Sequence, residues 1–382
     1  MFEARMNQML TARKAEGLYR DPLLLATHQG RIATVAGKEY LNFASNDYLG
    51  LGNDPSWRAA VGECFTKYAP SSSSSPLVCG HFAVVDEAEQ AYAEFFGYEE
   101  AVFFPSGFQA NEAVVSTFLK AADVAVYDKR VHASTVRGLR SSSVLLKGFN
   151  HGDCAHLLRR LDKNPDKDTV VFTESLYSMD ADLLDVSSFQ RVREQKEFVS
   201  VVDEAHAFGV LGINGCGHAR AVADVAVGTF GKGLGFFGAF ALMPKGYRDF
   251  LVNFSSPLIY STALPEAHAA AAIQLLGLLR QSDDRREAVL RQARKMRILL
   301  SELGLQVQGD AHILAVKIGD EHKAVQIADA LRSKGILLFA SRFPTVPRGK
   351  ALLRMGMTAL HTDDDLHTVA VTMAQVLQEL ST

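Results

Sequence analysis

The lysine of Thr229-Phe230-Gly231-Lys232-Gly233-Leu234-Gly235-Phe236-Phe237-Gly238 stands among glycines and aromatic residues, with no acid or amide beside it. An amine delivered into a confined apolar place loses little by giving up its charge, and an uncharged amine is a nucleophile. Upstream, the apolar run Phe198-Val199-Ser200-Val201-Val202 ends in Asp203-Glu204-Ala205-His206, and a turn follows at Gly209. In parallel α/β sheets ligands gather at the carboxyl ends of strands, which is where this acid and this histidine fall. A lysine able to bind an aldehyde and an acid able to keep a pyridine nitrogen protonated are two requirements of pyridoxal phosphate (PLP) chemistry. Each alone is commonplace, a solvated loop lysine or a capping aspartate. Their order and spacing together point to PLP.

A second signal concerns phosphate. Ser106-Gly107-Phe108-Gln109-Ala110-Asn111 follows a predicted strand ending at Phe104 and opens a helix. Backbone N–H groups and the helix dipole then converge on one spot suited to a dianion, and Gly107 lets the backbone approach closely. An ordinary strand-to-helix turn would read the same way. Cys64, Cys79, Cys154 and Cys216 show no paired metal spacing, and Cys216-Gly217-His218 lacks a second ligand pair, so no metal is predicted.

The elements that must position these residues follow from hydrophobic patterning. With 382 residues, 48% hydrophobic and 22% charged, the chain can build a large core, and neither disorder nor a membrane span is indicated. A net charge of −3 gives no general attraction to nucleic acid or to anionic lipid. The N-terminus has no apolar leader, and no run of about eighteen apolar residues occurs, which predicts a cytoplasmic protein. Strands are expected at 101–104, 124–127, 144–146, 169–172, 198–202, 225–229 and 239–242, with helical patterns between most of them. That alternation specifies an α/β fold with a mostly parallel seven-stranded sheet covered on both faces. Before it come a weakly patterned helix from Phe2 to about Tyr19 and a hairpin over 32–43. After it come two helices, 265–281 and 283–303, and a smaller α+β C-terminal lobe. The lobe has strands at 313–318, 336–340 and 352–357 and a last helix opened by a capping box at Thr362 and Asp365. Domains are expected at 1–45 (arm and hairpin), 46–275 (PLP-binding) and 276–382 (C-terminal lobe).

Asp203-Glu204-Ala205-His206 and Thr229-Phe230-Gly231-Lys232 with its Gly-rich turn resemble the α-oxoamine synthases, and most nearly the 8-amino-7-oxononanoate synthases among them. The resemblance runs from Asn42 to His361 and implies the type I PLP-dependent transferase fold. It implies that Lys232 holds PLP and later acts as base, that His132 stacks on the ring, and that Asp203 pairs with the pyridine nitrogen. His206 and Ser178 would meet the phenolic oxygen. Ser106, Gly107, Phe108 and Thr229 would hold the phosphate, with Thr262 reaching the phosphate of the opposite subunit in a homodimer. Arg354, assisted by Asn46, would take the amino-acid carboxylate, and Arg20 the far carboxylate of the acyl tail.

The implied reaction is decarboxylative condensation of L-alanine with a pimeloyl thioester, carried on coenzyme A or an acyl carrier protein. Another amino-acid and acyl pair is the rival within the family: glycine with acetyl-CoA, or serine with a long-chain acyl thioester. A PLP-binding homologue without turnover is the rival outside it. Two departures bear on the acyl side: Ser71 to Ser75 and Pro76 stand where the family has glycines and an arginine, and Val85 stands where it has a histidine.

Overall fold

The strands expected between residues 100 and 245 assemble into one seven-stranded sheet in the computed structural model, which describes residues 1–380. In chain order they are β1 (Glu100–Phe104), β2 (Val124–Asp128), β3 (Leu145–Phe149), β4 (Thr169–Glu174), β5 (Val199–Asp203), β6 (Val225–Thr229) and β7 (Ala239–Met243). Their order across the sheet is β1-β7-β6-β5-β4-β2-β3. Every pairing is parallel except those of β7, which runs against both β1 and β6.

Strands β4, β6 and β7 are buried along their whole lengths, which is why their sequences are apolar throughout rather than alternating. The pleat still sorts them by a period of two. Val170, Phe172, Val201, Val225 and Val227 join Ala110, Ala113 and Val114 of the helix Gly107–Phe118. On the other face Val171, Val202, Val124 and Val126 meet Leu157, Leu161, Phe189 and Val192. Residues 51–177 and 183–286 form this compact unit. Because the strands run the same way, Asp128, Glu174, Asp203 and Thr229, the last residues of β2, β4, β5 and β6, share one edge.

A second unit comprises residues 1–50, 178–182 and the chain from Glu287 onward. It carries two four-stranded sheets. In the first, Thr27–Gln29, Ile32–Val35 and Lys38–Asn42 form an antiparallel meander, and Ile336–Leu337 adds in parallel. In the second, Ile313–Gly319 lies between Val307–Gln308 and Ala351–Gly356, with Phe339–Ser341 on the far side of the latter, all antiparallel. The last helix, Asp363–Glu379, opens with the expected capping box.

Two expectations change here. The N-terminal helix ends at Ala15, not near Tyr19, because Gly17 takes a φ of 66° and the Leu18 N–H returns to the Arg13 carbonyl. The strand expected at 336–340 is two strands in two sheets. The chain turns at buried Leu338, so that Ile336 pairs with Leu41 while Phe339 pairs with Arg354. Among the described residues no helix is long and apolar enough to cross a membrane.

Candidate active site

Between β6 and β7 the chain closes a tight loop over 230–238. Phe230 N–H donates to the Gly238 carbonyl (3.0 Å), Phe236 N–H to Phe230 (2.9 Å) and Gly235 N–H to Lys232 (2.9 Å). Gly235 has a φ of 60°, and a Cβ built on it would lie 2.5 Å from the Gly52 amide nitrogen, so both conformation and space demand glycine. Trp57 Nε1 donates to the Gly235 carbonyl at 3.1 Å. This frame presents Lys232, half-buried, with Nζ 2.8 Å from His206 Nε2. The surroundings expected to be purely apolar therefore contain an imidazole. The residues adjacent in sequence are apolar; the imidazole comes from the loop after β5.

Asp203 is 9% exposed and held through both oxygens: Oδ2 accepts from Asn111 Nδ2 (2.6 Å) and Oδ1 from the Ala205 N–H (2.9 Å). Its neighbour Glu204 is turned to structure, accepting from the Ala219 and His218 amides at 2.6 and 3.1 Å. His132 caps the helix Ala133–Arg140. Its Nδ1 accepts the Ser134 N–H at 3.3 Å and lies 2.7 Å from Ser134 Oγ, while the residue itself remains exposed. Desolvation lowers its pKa; the Asp203 charge opposes this and the Lys232 charge adds to it.

At the start of the helix Gly107–Phe118, Ser106 Oγ accepts the Gln109 N–H at 3.2 Å. The first N–H groups of a helix have no internal acceptor and carry the positive end of its dipole. Thr229 Oγ1 donates to the Gly238 carbonyl (3.0 Å) and accepts the Gly231 N–H (3.1 Å). A Cβ built on Gly107 would stand 3.6 Å from Thr229 Cβ and 3.7 Å from its Oγ1, filling the gap between helix start and hydroxyl. Phe108 is 47% exposed at that helix start. Gln109 Nε2 fastens the following segment through Pro257 O (2.6 Å) and Ser261 Oγ (2.7 Å), leaving Thr262 exposed. Pro76 and Val85, the two departures, line one cavity of about 210 Å³ with Gln109, Ser261 and Thr262. The serine run is braced there, Ser72 Oγ donating to the Ala263 carbonyl at 2.7 Å. An amine, a fixed carboxylate, a flat imidazole and a side-chain-free helix start suit the aldehyde, pyridine nitrogen, ring face and phosphate of PLP.

In the second unit Arg354, on the strand Ala351–Gly356, is 5% exposed. Its Nε donates to the Ser178 carbonyl (2.7 Å), and its Nη2 to Asn46 Oδ1 (3.0 Å) and to Tyr48 Oη (3.3 Å). Tyr48 Oη in turn donates to Asn46 Oδ1 at 3.1 Å. Among the described residues the recorded partners of this guanidinium are neutral oxygens, so a buried cation is left to be balanced by an anion. Arg20 is exposed and donates to Thr345 Oγ1 at 3.2 Å. Sequence reading missed Asn111 as the partner of Asp203 and Tyr48 as a support of Arg354. Asn111 carried a signal, an amide among Ala110, Ala113 and Val114 on a buried helix face. No group of three or more His, Cys, Asp or Glu suited to a metal occurs among the described residues.

Residues 38–372 match the family described as aminotransferase class I and II. Over 382 aligned residues the chain is 35% identical to the 8-amino-7-oxononanoate synthase of Vibrio campbellii, covering 99% of each protein. Serine palmitoyltransferase from S. paucimobilis with bound PLP matches with a TM-score of 0.90 at 26% identity, over 98% of this chain and 97% of that one. The 8-amino-7-oxononanoate synthase from Francisella tularensis matches with a TM-score of 0.77, also at 26% identity, over 90% of this chain and 99% of that one.

Proposed function

We infer the reaction from one premise: the chain belongs to the aminotransferase class I and II family and, within it, to the α-oxoamine synthases. It is a PLP-dependent enzyme of the acyltransferase type that condenses an amino acid with an acyl thioester as carbon dioxide is lost. Bound PLP supplies an electron sink for negative charge at the amino acid's Cα. The remaining work falls to the chain.

In our reading Lys232 Nζ grips the aldehyde end of the cofactor, gives way to the incoming amine, and then takes the Cα proton. His206 Nε2, at 2.8 Å, keeps that nitrogen aimed. Asp203, fixed by Asn111 and the Ala205 amide, accepts the pyridine N–H. His132 covers one ring face against water. The first amides of the helix at Gly107 and Phe108, with the Ser106 and Thr229 hydroxyls, hold the phosphate, and in a homodimer Thr262 completes the partner's phosphate site. His206 and Ser178 serve the phenolic oxygen. Arg354 and Asn46 take the substrate carboxylate, and Arg20 takes the carboxylate at the far end of the acyl tail.

The contact between Lys232 and His206, at the same sheet edge as Asp203, carries this reading. We propose L-alanine and a pimeloyl thioester, on coenzyme A or a carrier protein, as the substrates, and 8-amino-7-oxononanoate as the product. The full-length similarity to the Vibrio campbellii synthase supports that pair. Serine with a palmitoyl thioester is the second reading, favoured by TM-scores of 0.90 against 0.77. Thiol release measured with alanine and pimeloyl-CoA, serine and palmitoyl-CoA, and glycine and acetyl-CoA decides among them. Turnover confined to one of the last two pairs would refute the alanine assignment. Borohydride should fix the cofactor to Lys232, and a label on another lysine would refute that role.

A further inference from the structure

Glu174 ends β4, is 4% exposed, and has no part in the reaction described so far. In the parallel register it is the partner of Asp203 at the end of β5, so the pleat sends both side chains to the same face as adjacent carboxyls. Its carboxyl accepts the backbone N–H of His132. Its own N–H goes to Tyr177 Oη at 3.3 Å, and that hydroxyl also lies 2.7 Å from Thr173 Oγ1. The carboxyl thus sits on a braced turn between two residues read as serving the cofactor ring.

We propose that Glu174 is the positioning residue of His132: by holding its backbone amide it sets the plane of the imidazole over the ring. The inference rests on the reading of His132 as the residue that covers that ring. Burial first, and the Asp203 charge second, keep the Glu174 carboxyl well above the usual carboxylate range, with the Lys232 charge opposing. A neutral carboxyl still offers the amide an oxygen while leaving Asp203 the single anion of the two.

The test uses the holoenzyme and reads the PLP dissociation constant together with the visible circular dichroism of bound PLP, which reports the setting of the ring. Glu174→Gln, which keeps the acceptor, should stay within about threefold of the parent in affinity, whereas Glu174→Ala should lose about tenfold, the scale of one hydrogen bond, and weaken the dichroism. In a His132→Ala background Glu174→Ala should add nothing further. Independent losses in the double variant, or a Gln variant as impaired as the Ala one, would overturn the proposal. Should the Ala variant fail to fold, Glu174→Asp takes its place: one methylene shorter, it should lose affinity, and a parent-like result would overturn the proposal. A His132→Ala variant with unchanged affinity and dichroism would instead remove the reading of His132, and this inference with it.

Discussion

Gly107 is a residue whose side chain matters by being absent. Neither its conformation nor its packing demands glycine, since an added Cβ would meet Thr229 at ordinary contact distances of 3.6 and 3.7 Å. We therefore expect Gly107→Ala to fold with undiminished stability, yet to lose PLP affinity by about tenfold or more as the methyl enters the phosphate gap. Urea unfolding of the cofactor-free protein and PLP titration separate the two effects; equal PLP affinity would mean the phosphate is held elsewhere. Asp203 and Arg354 should fail in different ways. Asp203→Asn weakens the sink that only the carbanion-like transition state needs, so amino-acid binding should survive while Cα proton exchange falls steeply. Arg354→Ala should weaken amino-acid binding first, by roughly 2–5 kcal/mol if the ion pair is buried. Absorbance titration with alanine and deuterium exchange at Cα, run on both variants, would expose a misassigned role.

The turn Ser178–Asp182 is an element held from outside. Ser178 O accepts from Arg354, Asp180 O from Gln308 Nε2 (2.9 Å) and Ala181 O from the Asp310 N–H (3.0 Å). Under that restraint Ala181 adopts a φ of 61° while fully buried. An alanine in the left-handed region costs about 1 kcal/mol, so Ala181→Gly should raise the urea-unfolding free energy by about that amount. A loss of stability would show that packing of the methyl outweighs the backbone term. Restraints of this kind are also where sequence reading stopped. Strands β4 to β6 were legible because a strand buried on both faces is one apolar run, and Asp203, His206, Thr229 and Lys232 were legible because they abut such runs. The break at Leu338 was not, since Ile336-Leu337-Leu338-Phe339 is uniformly apolar and has no period to divide it. Asn111 and Tyr48 were missed as partners because Asp203 and Arg354 lie 92 and 306 positions away.

Across the whole molecule three buried groups tie stability to pH, and they do not act in the same direction. His268 is enclosed by Phe236, Phe237, Phe230 and Phe103, with Nε2 2.6 Å from the Phe237 carbonyl. His361 stacks on Phe43 at 4.0 Å, accepts the Thr358 N–H at Nδ1 and donates from Nε2 to the Asn42 carbonyl. Burial lowers both from the ordinary 6.5 to about 4. The unfolded chain takes up these protons first, so the stability the two histidines protect is complete above pH 6.5 and lost as the pH falls toward 4. At full protonation the loss is about 3 kcal/mol for each. Glu89 works the other way. It accepts from the Phe103 N–H and Arg248 Nη2 at 2.8 and 3.1 Å, and burial raises it from 4.5 to about 7 against the pull of Arg248. The folded chain holds that proton more tightly, so its contribution is complete below pH 4.5 and lost as the pH rises through about 7. Between these limits Glu89 offsets part of what the histidines lose. We therefore expect Glu89→Gln, which carries no titrating group, to lose urea-unfolding free energy more steeply than the parent as the pH is lowered from 7 to 4.5. His361→Gln should lose it less steeply over the same range. Parallel curves for parent and Glu89→Gln would mean that the Glu89 carboxyl is already ionised in the fold at neutral pH, and that Arg248, not burial, sets its charge.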